Sequence, residues 1–105
     1  MNNLGQGTTP YLQVAIDGCD LTAAEVIYVT IEQGQHRLNL TGERVNVLSE
    51  EGNSVVTVHL TQEETLAFKK GFAEIQVRWR DSEGDAFETE VLSVNFLKAL
   101  YKGVI

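Results

Sequence analysis

The sequence has one cysteine, one proline and no long apolar run, and each shortage excludes a class of structure. A single cysteine, Cys19, cannot form an internal disulfide, so an oxidising compartment receives no support. No apolar stretch approaches the roughly 20 residues that span a bilayer, which predicts a chain without a membrane span. Residues 1–7 lack the basic and apolar regions of a signal peptide, so we expect synthesis in a cytoplasm.

Basic residues are also few. Eight Lys and Arg stand against 15 Asp and Glu, which gives a formal net charge of −7 in 105 residues. That charge repels phosphate backbones and anionic lipid surfaces. Neither nucleic acid nor a membrane is therefore expected as a direct partner, and the length predicts one domain with its own core.

Groupings of catalytic or metal-binding residues are missing as well. His36 and His59 fall on separate predicted strands, and Cys19 alone hardly completes a zinc site. The acids Asp17, Asp20 and Glu25 do not follow the EF-hand spacing, and those of residues 50–51 and 81–85 are typical of exposed hairpins. There is no glycine-rich phosphate loop and no motif around a Ser, His and Asp set. The sequence predicts a protein that is not an enzyme and holds neither cofactor nor metal.

The dominant pattern in the sequence is the alternation of apolar and polar residues that is typical of β-strands. Apolar and polar residues alternate over about seven short segments, separated by turn signals every 8–12 residues or so. This spacing is typical of an immunoglobulin-like antiparallel β-sandwich, with a small barrel as the alternative that periodicity does not exclude. The predicted core between the sheets is Val14, Ile27, Val29, Ile31, Leu38, Leu40, Val56, Val58, Ile75, Val77 and Trp79. In residues 86–96 the apolar parity changes near Val91 and Leu92, which predicts a β-bulge or a change of partner sheet.

One short helix interrupts the strands at residues 61–70. Thr61 and Glu64 have the spacing of a capping box, and Gly71 is placed to close the helix as its C′ residue. Leu66 and Phe68 are predicted to point into the core. We interpret this segment as a self-capped crossover from one sheet to the other.

The chain divides into three parts. Residues 1–10 form an N-terminal arm, flexible or docked, because Pro10 is excluded from a central strand. Residues 11–96 form the sandwich, and residues 97–105 form an apolar C-terminal docking tail. Such a tail packs on its own domain or docks on a neighbour, and the sequence leaves both open.

The outer face of the clearest strand, residues 72–80, carries two arginines. This face is either a solvated sheet surface or a polar interface patch. Together with the tail, it supplies the predicted protein-interface residues, which are Leu97, Leu100, Tyr101, Val104, Ile105, Arg78 and Arg80.

Four short segments carry a family resemblance. They are Asp-Gly-Cys-Asp-Leu-Thr at residues 17–22, Val-Thr-Val-His-Leu-Thr-Gln-Glu-Glu-Thr at 56–65, Ile-Gln-Val-Arg at 75–78 and Gly-Asp-Ala-Phe-Glu-Thr at 84–89. Over roughly residues 8–100 the chain resembles small structural proteins of tailed phages and prophages of Gram-positive bacteria. It is also similar to the N-terminal sandwich domain of phage baseplate upper proteins.

The resemblance implies a non-enzymatic virion structural or assembly protein, such as a tail or baseplate accessory subunit. Its partners would be other phage structural proteins, within a homo-oligomer or ring, and it would be made in the bacterial host cytoplasm. Unlike baseplate upper proteins, the sequence stops after one domain, which favours an adaptor or accessory subunit over an adhesin carrier.

Two other functions stay open. One is a soluble carbohydrate-binding module, for which Tyr11, Tyr28 and Trp79 are the aromatic candidates, although Trp79 has the inward parity of its strand. The other is a small acidic phage-encoded inhibitor of a host protein, which would mimic a phosphate surface with its negative charge. The acids are scattered along the sequence, which argues against that mimicry.

Overall fold

The computed structural model describes residues 2–105, and Met1 lies outside the described part. These residues form nine β-strands, one short α-helix and two 3₁₀ turns, at Leu21–Ala23 and Gly42–Arg44. The strands are β1 (Asn2–Gly5), β2 (Tyr11–Ile16), β3 (Val26–Gln33), β4 (His36–Thr41), β5 (Val45–Glu50), β6 (Asn53–His59), β7 (Gly71–Arg80), β8 (Ala86–Glu88) and β9 (Leu92–Leu97), with α1 (Gln62–Leu66) between β6 and β7. The predicted all-β fold is confirmed.

Two separate sheets pack face to face, as in a sandwich and unlike a closed barrel. The larger has the order β1-β9-β7-β3-β4, with β8 also paired to β7, and the smaller has the order β2-β6-β5. In the immunoglobulin scheme β2, β6 and β5 take the places of strands B, E and D, while β3, β7 and β9 take those of C, F and G. One pair departs from the antiparallel rule, because β1 runs parallel to β9.

Residues of the predicted N-terminal arm supply the parallel strand. Leu4 in β1 is buried in the core, and the amide of Gln6 continues the pairing by donating to the carbonyl of Leu97 at 3.0 Å. Farther along, the carbonyl of Pro10 accepts from the amide of Leu60 at 3.0 Å. The N-terminal segment, predicted to be flexible or docked, is docked in the structure. Strand β1 is one of two strands that the structure has in addition to the seven predicted.

The other additional strand comes from a break in residues 86–96. Arg78 of β7 pairs with Glu88 and Ile75 pairs with Leu92, so the three residues 89–91 lie opposite only two, residues 76 and 77. The extra residue is a β-bulge. Thr89 fills the gap, since its amide donates to the carbonyl of Val77 at 2.9 Å and its hydroxyl accepts from the amide of Val77 at 3.2 Å. The predicted bulge is confirmed, and it divides one long strand into β8 and β9.

The core lies between the sheets and follows the predicted alternation, with Ile27 and Leu38 only partly buried. Phe68 lies at its crossover side, where its ring stacks on Phe96 at 4.6 Å between centroids. The buried apolar residues are Leu4, Leu12, Val14, Ile16, Leu21, Val29, Ile31, Leu40, Val56, Val58, Leu60, Phe68, Ala73, Ile75, Val77, Trp79, Val94 and Phe96.

The crossover helix begins as predicted and ends earlier. Both bonds of the capping box are present: the Glu64 amide donates to the Thr61 hydroxyl at 3.1 Å, and the Thr61 amide donates to the Glu64 carboxylate at 2.9 Å. Helix α1 stops at Leu66 after five residues, so the predicted end at residue 70 is wrong. Gly71 is the first residue of β7, with φ of 124°, and does not close the helix.

A side chain from the end of β3 explains the early end of the helix. The Gln33 amide group binds both backbone groups of Lys69, accepting from its N–H at 2.7 Å and donating to its carbonyl at 2.8 Å. These bonds satisfy backbone groups that a longer helix would use internally. Phe68 is buried as predicted and Leu66 only partly, while Thr65 occupies a fully buried position.

An ion pair ties the helix to the start of β5. The Arg44 guanidinium binds the Glu64 carboxylate through two bonds, at 2.6 and 3.1 Å, and also donates to the His59 carbonyl at 3.0 Å. Burial raises the pKa of Glu64, but the hydrogen bonds from Arg44 and the Thr61 amide outweigh it, so the pKa lies below its ordinary value. The same pair raises the pKa of Arg44.

Replacing Glu64 with Gln is expected to lower the free energy of unfolding at pH 7 by about 1–2 kcal/mol, because a cap and an ion pair are both weakened. The folded-state pKa is depressed, so the stabilisation is complete above the unfolded-state value of about 4.3 and is lost as pH falls through the lower folded value. Urea unfolding at pH 7, 5 and 3 should therefore show the difference from wild type shrinking in acid. The exposed neighbour variant Glu63→Gln is the control, and a difference that stays constant to pH 3 would contradict the assignment.

Candidate interaction surfaces

The C-terminal segment, residues 97–105, is fixed to the domain through its backbone. The side-chain oxygen of Gln6 accepts from the Ala99 amide at 2.9 Å. Gln62 on α1 binds both backbone groups of Ile105, accepting from its N–H at 2.8 Å and donating to its carbonyl at 3.0 Å. Two glutamine side chains thus hold this segment against the crossover.

The apolar side chains of the same segment face solvent. Leu100 and Ile105 are each 92% exposed, Tyr101 is 70% exposed, and Leu97 and Val104 are about half exposed. The Tyr101 ring lies against Gly103, where a Cβ atom would come within 2.8 Å of the ring. The sequence left open whether this segment packs on its own domain or docks on a neighbour. Its backbone packs on its own domain, whereas the apolar side chains that could dock on a neighbour remain uncovered.

Gln6 joins three parts of the chain at this place. It is 7% exposed, and its amide group donates to the Phe68 carbonyl at 2.6 Å while its oxygen accepts from the Ala99 amide and from the Lys102 ammonium at 2.6 Å. Strand β1, the crossover and the C-terminal segment therefore share one buried polar residue. No sequence pattern indicates this role, because a single glutamine in a polar segment resembles any other surface residue.

The predicted arginines lie far from the C-terminal segment. Arg78 and Arg80 are on the outer face of the larger sheet near the end of β7, whereas the segment lies beside the start of that strand. Arg80 is 3.4 Å from Glu25, and Arg78 lines a shallow groove with Tyr28 and Asn39. The structure thus divides the predicted interface residues between two surfaces.

The three aromatic candidates for sugar binding are also dispersed. Tyr11 stacks on His59 of the smaller sheet at 4.0 Å, and Tyr28 is on the outer face of the larger sheet. Trp79 is 9% exposed and stacks on Phe87 at 5.8 Å. These rings do not form one platform, so no observation favours the carbohydrate-binding alternative.

Acidic residues gather at one end of the sandwich, which we call the loop end and define as residues 17–25, 50–53 and 81–85. Hydrogen bonds hold these loops together: the Gly18 amide donates to the Asn53 side chain at 2.7 Å, and the Glu25 amide donates to the carbonyl of Arg80, which precedes the third loop, at 2.9 Å. The loops contain no Lys or Arg. Their eight acids are Asp17, Asp20, Glu25, Glu50, Glu51, Asp81, Glu83 and Asp85. Acids that are scattered in sequence are therefore clustered in space.

Two carboxylates of the loop end, those of Asp20 and Asp81, accept hydrogen bonds from donors within their own loops. Hydrogen bonds from the Thr22 hydroxyl and amide lower the pKa of Asp20. The oxygens of Asp81, Glu83 and Asp85 approach within 4.8 Å of one another, and Asp81 accepts from the amides of the other two at 2.9 and 3.0 Å. These bonds are those of a self-capped hairpin turn.

Lysines gather at the opposite end, which we call the crossover end and define as residues 60–70 and 97–105. All four lysines of the sequence are here, namely Lys69, Lys70, Lys98 and Lys102, beside the acids Glu63 and Glu64. Glu64 is paired with Arg44. Strand β7 has 10 residues and runs from one end to the other, which separates them by about 30 Å.

No protein-family model, curated protein or solved structure matches the chain. Within residues 2–105 none of the helices is long and apolar enough to cross a membrane. Function must therefore be inferred from the chemistry of the surfaces that this chain presents.

Proposed function

We propose that the protein is a non-enzymatic virion structural or assembly subunit, a tail or baseplate accessory protein of a phage or prophage. It joins its assembly through the apolar side chains of the C-terminal segment. The observation that supports this most is the 92% exposure of Leu100 and Ile105 on a backbone that is hydrogen-bonded in place. The resemblance to phage structural proteins supplies the virion setting.

Two physical terms favour docking through this segment. Full burial of a Leu or Ile side chain contributes about 1.5–3 kcal/mol, and tyrosine is enriched at interfaces, so Leu100, Tyr101 and Ile105 offer substantial binding energy. In addition, the bonds from Gln6 and Gln62 order the segment before any partner arrives. A preordered segment loses less conformational entropy on binding, which increases its affinity.

The double variant Leu100→Asp/Ile105→Asp is expected to lower the number of copies per virion at least tenfold, because two buried contacts become desolvated charges. Copy number is measured by quantitative mass spectrometry of purified particles. Each of the two side chains is 92% exposed, so thermal unfolding should match wild type. The control is Leu48→Asp on the smaller sheet, which is 75% exposed and should leave incorporation unchanged. Incorporation of the double variant at the wild-type ratio would contradict the proposal.

A further inference from the structure

The geometry points to head-to-tail association between copies of this chain, with the crossover end of one copy seated on the loop end of the next. This inference rests on the proposed function, since it names the partner of the same C-terminal segment. Its occupant is a second copy because the chain carries both halves of a complementary contact, an apolar lysine-rich surface and an acidic one.

Opposite charges on the two ends of the domain favour this contact. The crossover end has four lysines, and of its two acids Glu64 is already paired with Arg44. The loop end has eight acids, and the nearest base, Arg80, is paired with Glu25. Two crossover ends or two loop ends would repel one another, which disfavours a two-fold contact.

The shape of the molecule makes the contact intermolecular. The domain measures 46 × 24 × 23 Å, and the length of β7 separates the two charged ends. One copy cannot bring its own ends together, so opposite charges meet only between copies. A contact between different surfaces repeats from copy to copy, and it gives a ring when the rotation closes or a filament when it does not.

An exposed aromatic side chain beside the loop end supplies the apolar counterpart. Phe87 lies in β8, two residues after the acidic hairpin of residues 81–85, is 48% exposed and stacks on Trp79. Leu100, Tyr101 and Ile105 can cover its ring while lysines and carboxylates form the surrounding rim. An apolar centre with a polar rim is the usual organisation of a protein interface.

The test uses two charge-reversed variants whose changed side chains make no hydrogen bond within the described residues. One is Lys70→Glu/Lys98→Glu at the crossover end, and the other is Glu83→Lys/Asp85→Lys at the loop end. Each alone is expected to weaken self-association at least tenfold in sedimentation velocity of the full chain. Wild-type association should weaken with added salt, because rim charges are screened beyond about 10 Å at 0.1 M.

Mixing the two variants gives the decisive result. Each keeps one native end, so an equimolar mixture should recover association through native pairs and through charge-swapped pairs. Thermal unfolding of both variants near the wild-type temperature verifies that they fold. A mixture that stays monomeric, or a wild type that is monomeric at all concentrations and salts, would overturn the inference.

The same measurements separate this inference from the proposed function. Self-association that survives both charge reversals and is lost only in Leu100→Asp/Ile105→Asp overturns the head-to-tail contact while the segment remains a docking element. Incorporation into virions of a chain that never self-associates would also overturn the head-to-tail contact. It would assign the loop end to a different, basic partner. Loss of the head-to-tail contact thus leaves copy number per virion as an independent readout.

Discussion

Replacing Phe68 with Ala is expected to lower the free energy of unfolding by about 3–5 kcal/mol, which is the usual range for removing a buried phenylalanine. The side chain is 1% exposed and stacks on Phe96, with the His36 ring against its edge at 4.6 Å. Its removal opens a cavity where the crossover meets the larger sheet. The backbone of the same residue accepts the Gln6 bond, so the loss extends to the N-terminal strand and the C-terminal segment.

Urea unfolding followed by tryptophan fluorescence measures this change, because Trp79 is the single tryptophan. Phe72→Ala is the matched control: it is four residues away and 63% exposed, and it should cost less than about 1 kcal/mol. Phe68→Leu should recover part of the stability because most of the volume is restored. Equal losses in the Phe68 and Phe72 variants would show that the crossover is not anchored by Phe68.

Local patterns account for the parts of this fold that were predicted correctly. Leu12, Val14 and Ile16 alternate in the sequence and are buried in alternation in β2. The capping box needs only Thr61 and Glu64 at a fixed spacing. The bulge follows from a change of parity, which is also a property of neighbouring residues. Each of these signals lies within a few residues of the feature that it predicts.

Features that depend on distant partners were missed. Strand β1 has too few apolar residues to alternate, and it exists because β9, about 90 residues later, offers an edge. Thr65 is buried because its hydroxyl accepts from the Gly7 amide at 2.9 Å and donates to the Thr8 carbonyl at 2.9 Å. The acidic cluster of the loop end depends on three loops that only the fold brings together.

The glutamines show the same limit most clearly. Gln6, Gln33 and Gln62 each bind backbone groups at least 36 residues away in sequence, and together they fix the crossover and the C-terminal segment. Because a glutamine amide has both a donor and an acceptor, it can satisfy a backbone N–H and a carbonyl at once. In sequence, however, these residues are indistinguishable from ordinary polar surface positions.

Replacing Gln6 with Ala is expected to lower the free energy of unfolding by about 3 kcal/mol. The substitution leaves the buried Phe68 carbonyl and the partly buried Ala99 amide without partners, and an unsatisfied group of this kind costs about 1–3 kcal/mol. Lys102 loses its acceptor as well. Urea unfolding measures the total, and hydrogen exchange at Ala99 reports release of the C-terminal segment.

Gln62→Ala is the control, because it frees only the exposed Ile105 backbone and should cost about 1 kcal/mol or less.

The effect of Gln6→Ala on association separates the preordering of the C-terminal segment from the contacts that its side chains make. In Gln6→Ala every apolar docking side chain is retained, yet association should weaken because the part of the segment around Ala99 and Lys102, released from Gln6, must now be ordered on binding. Unchanged exchange at Ala99 together with unchanged association would mean that the segment is held by contacts other than Gln6, and that its preordering does not contribute to docking.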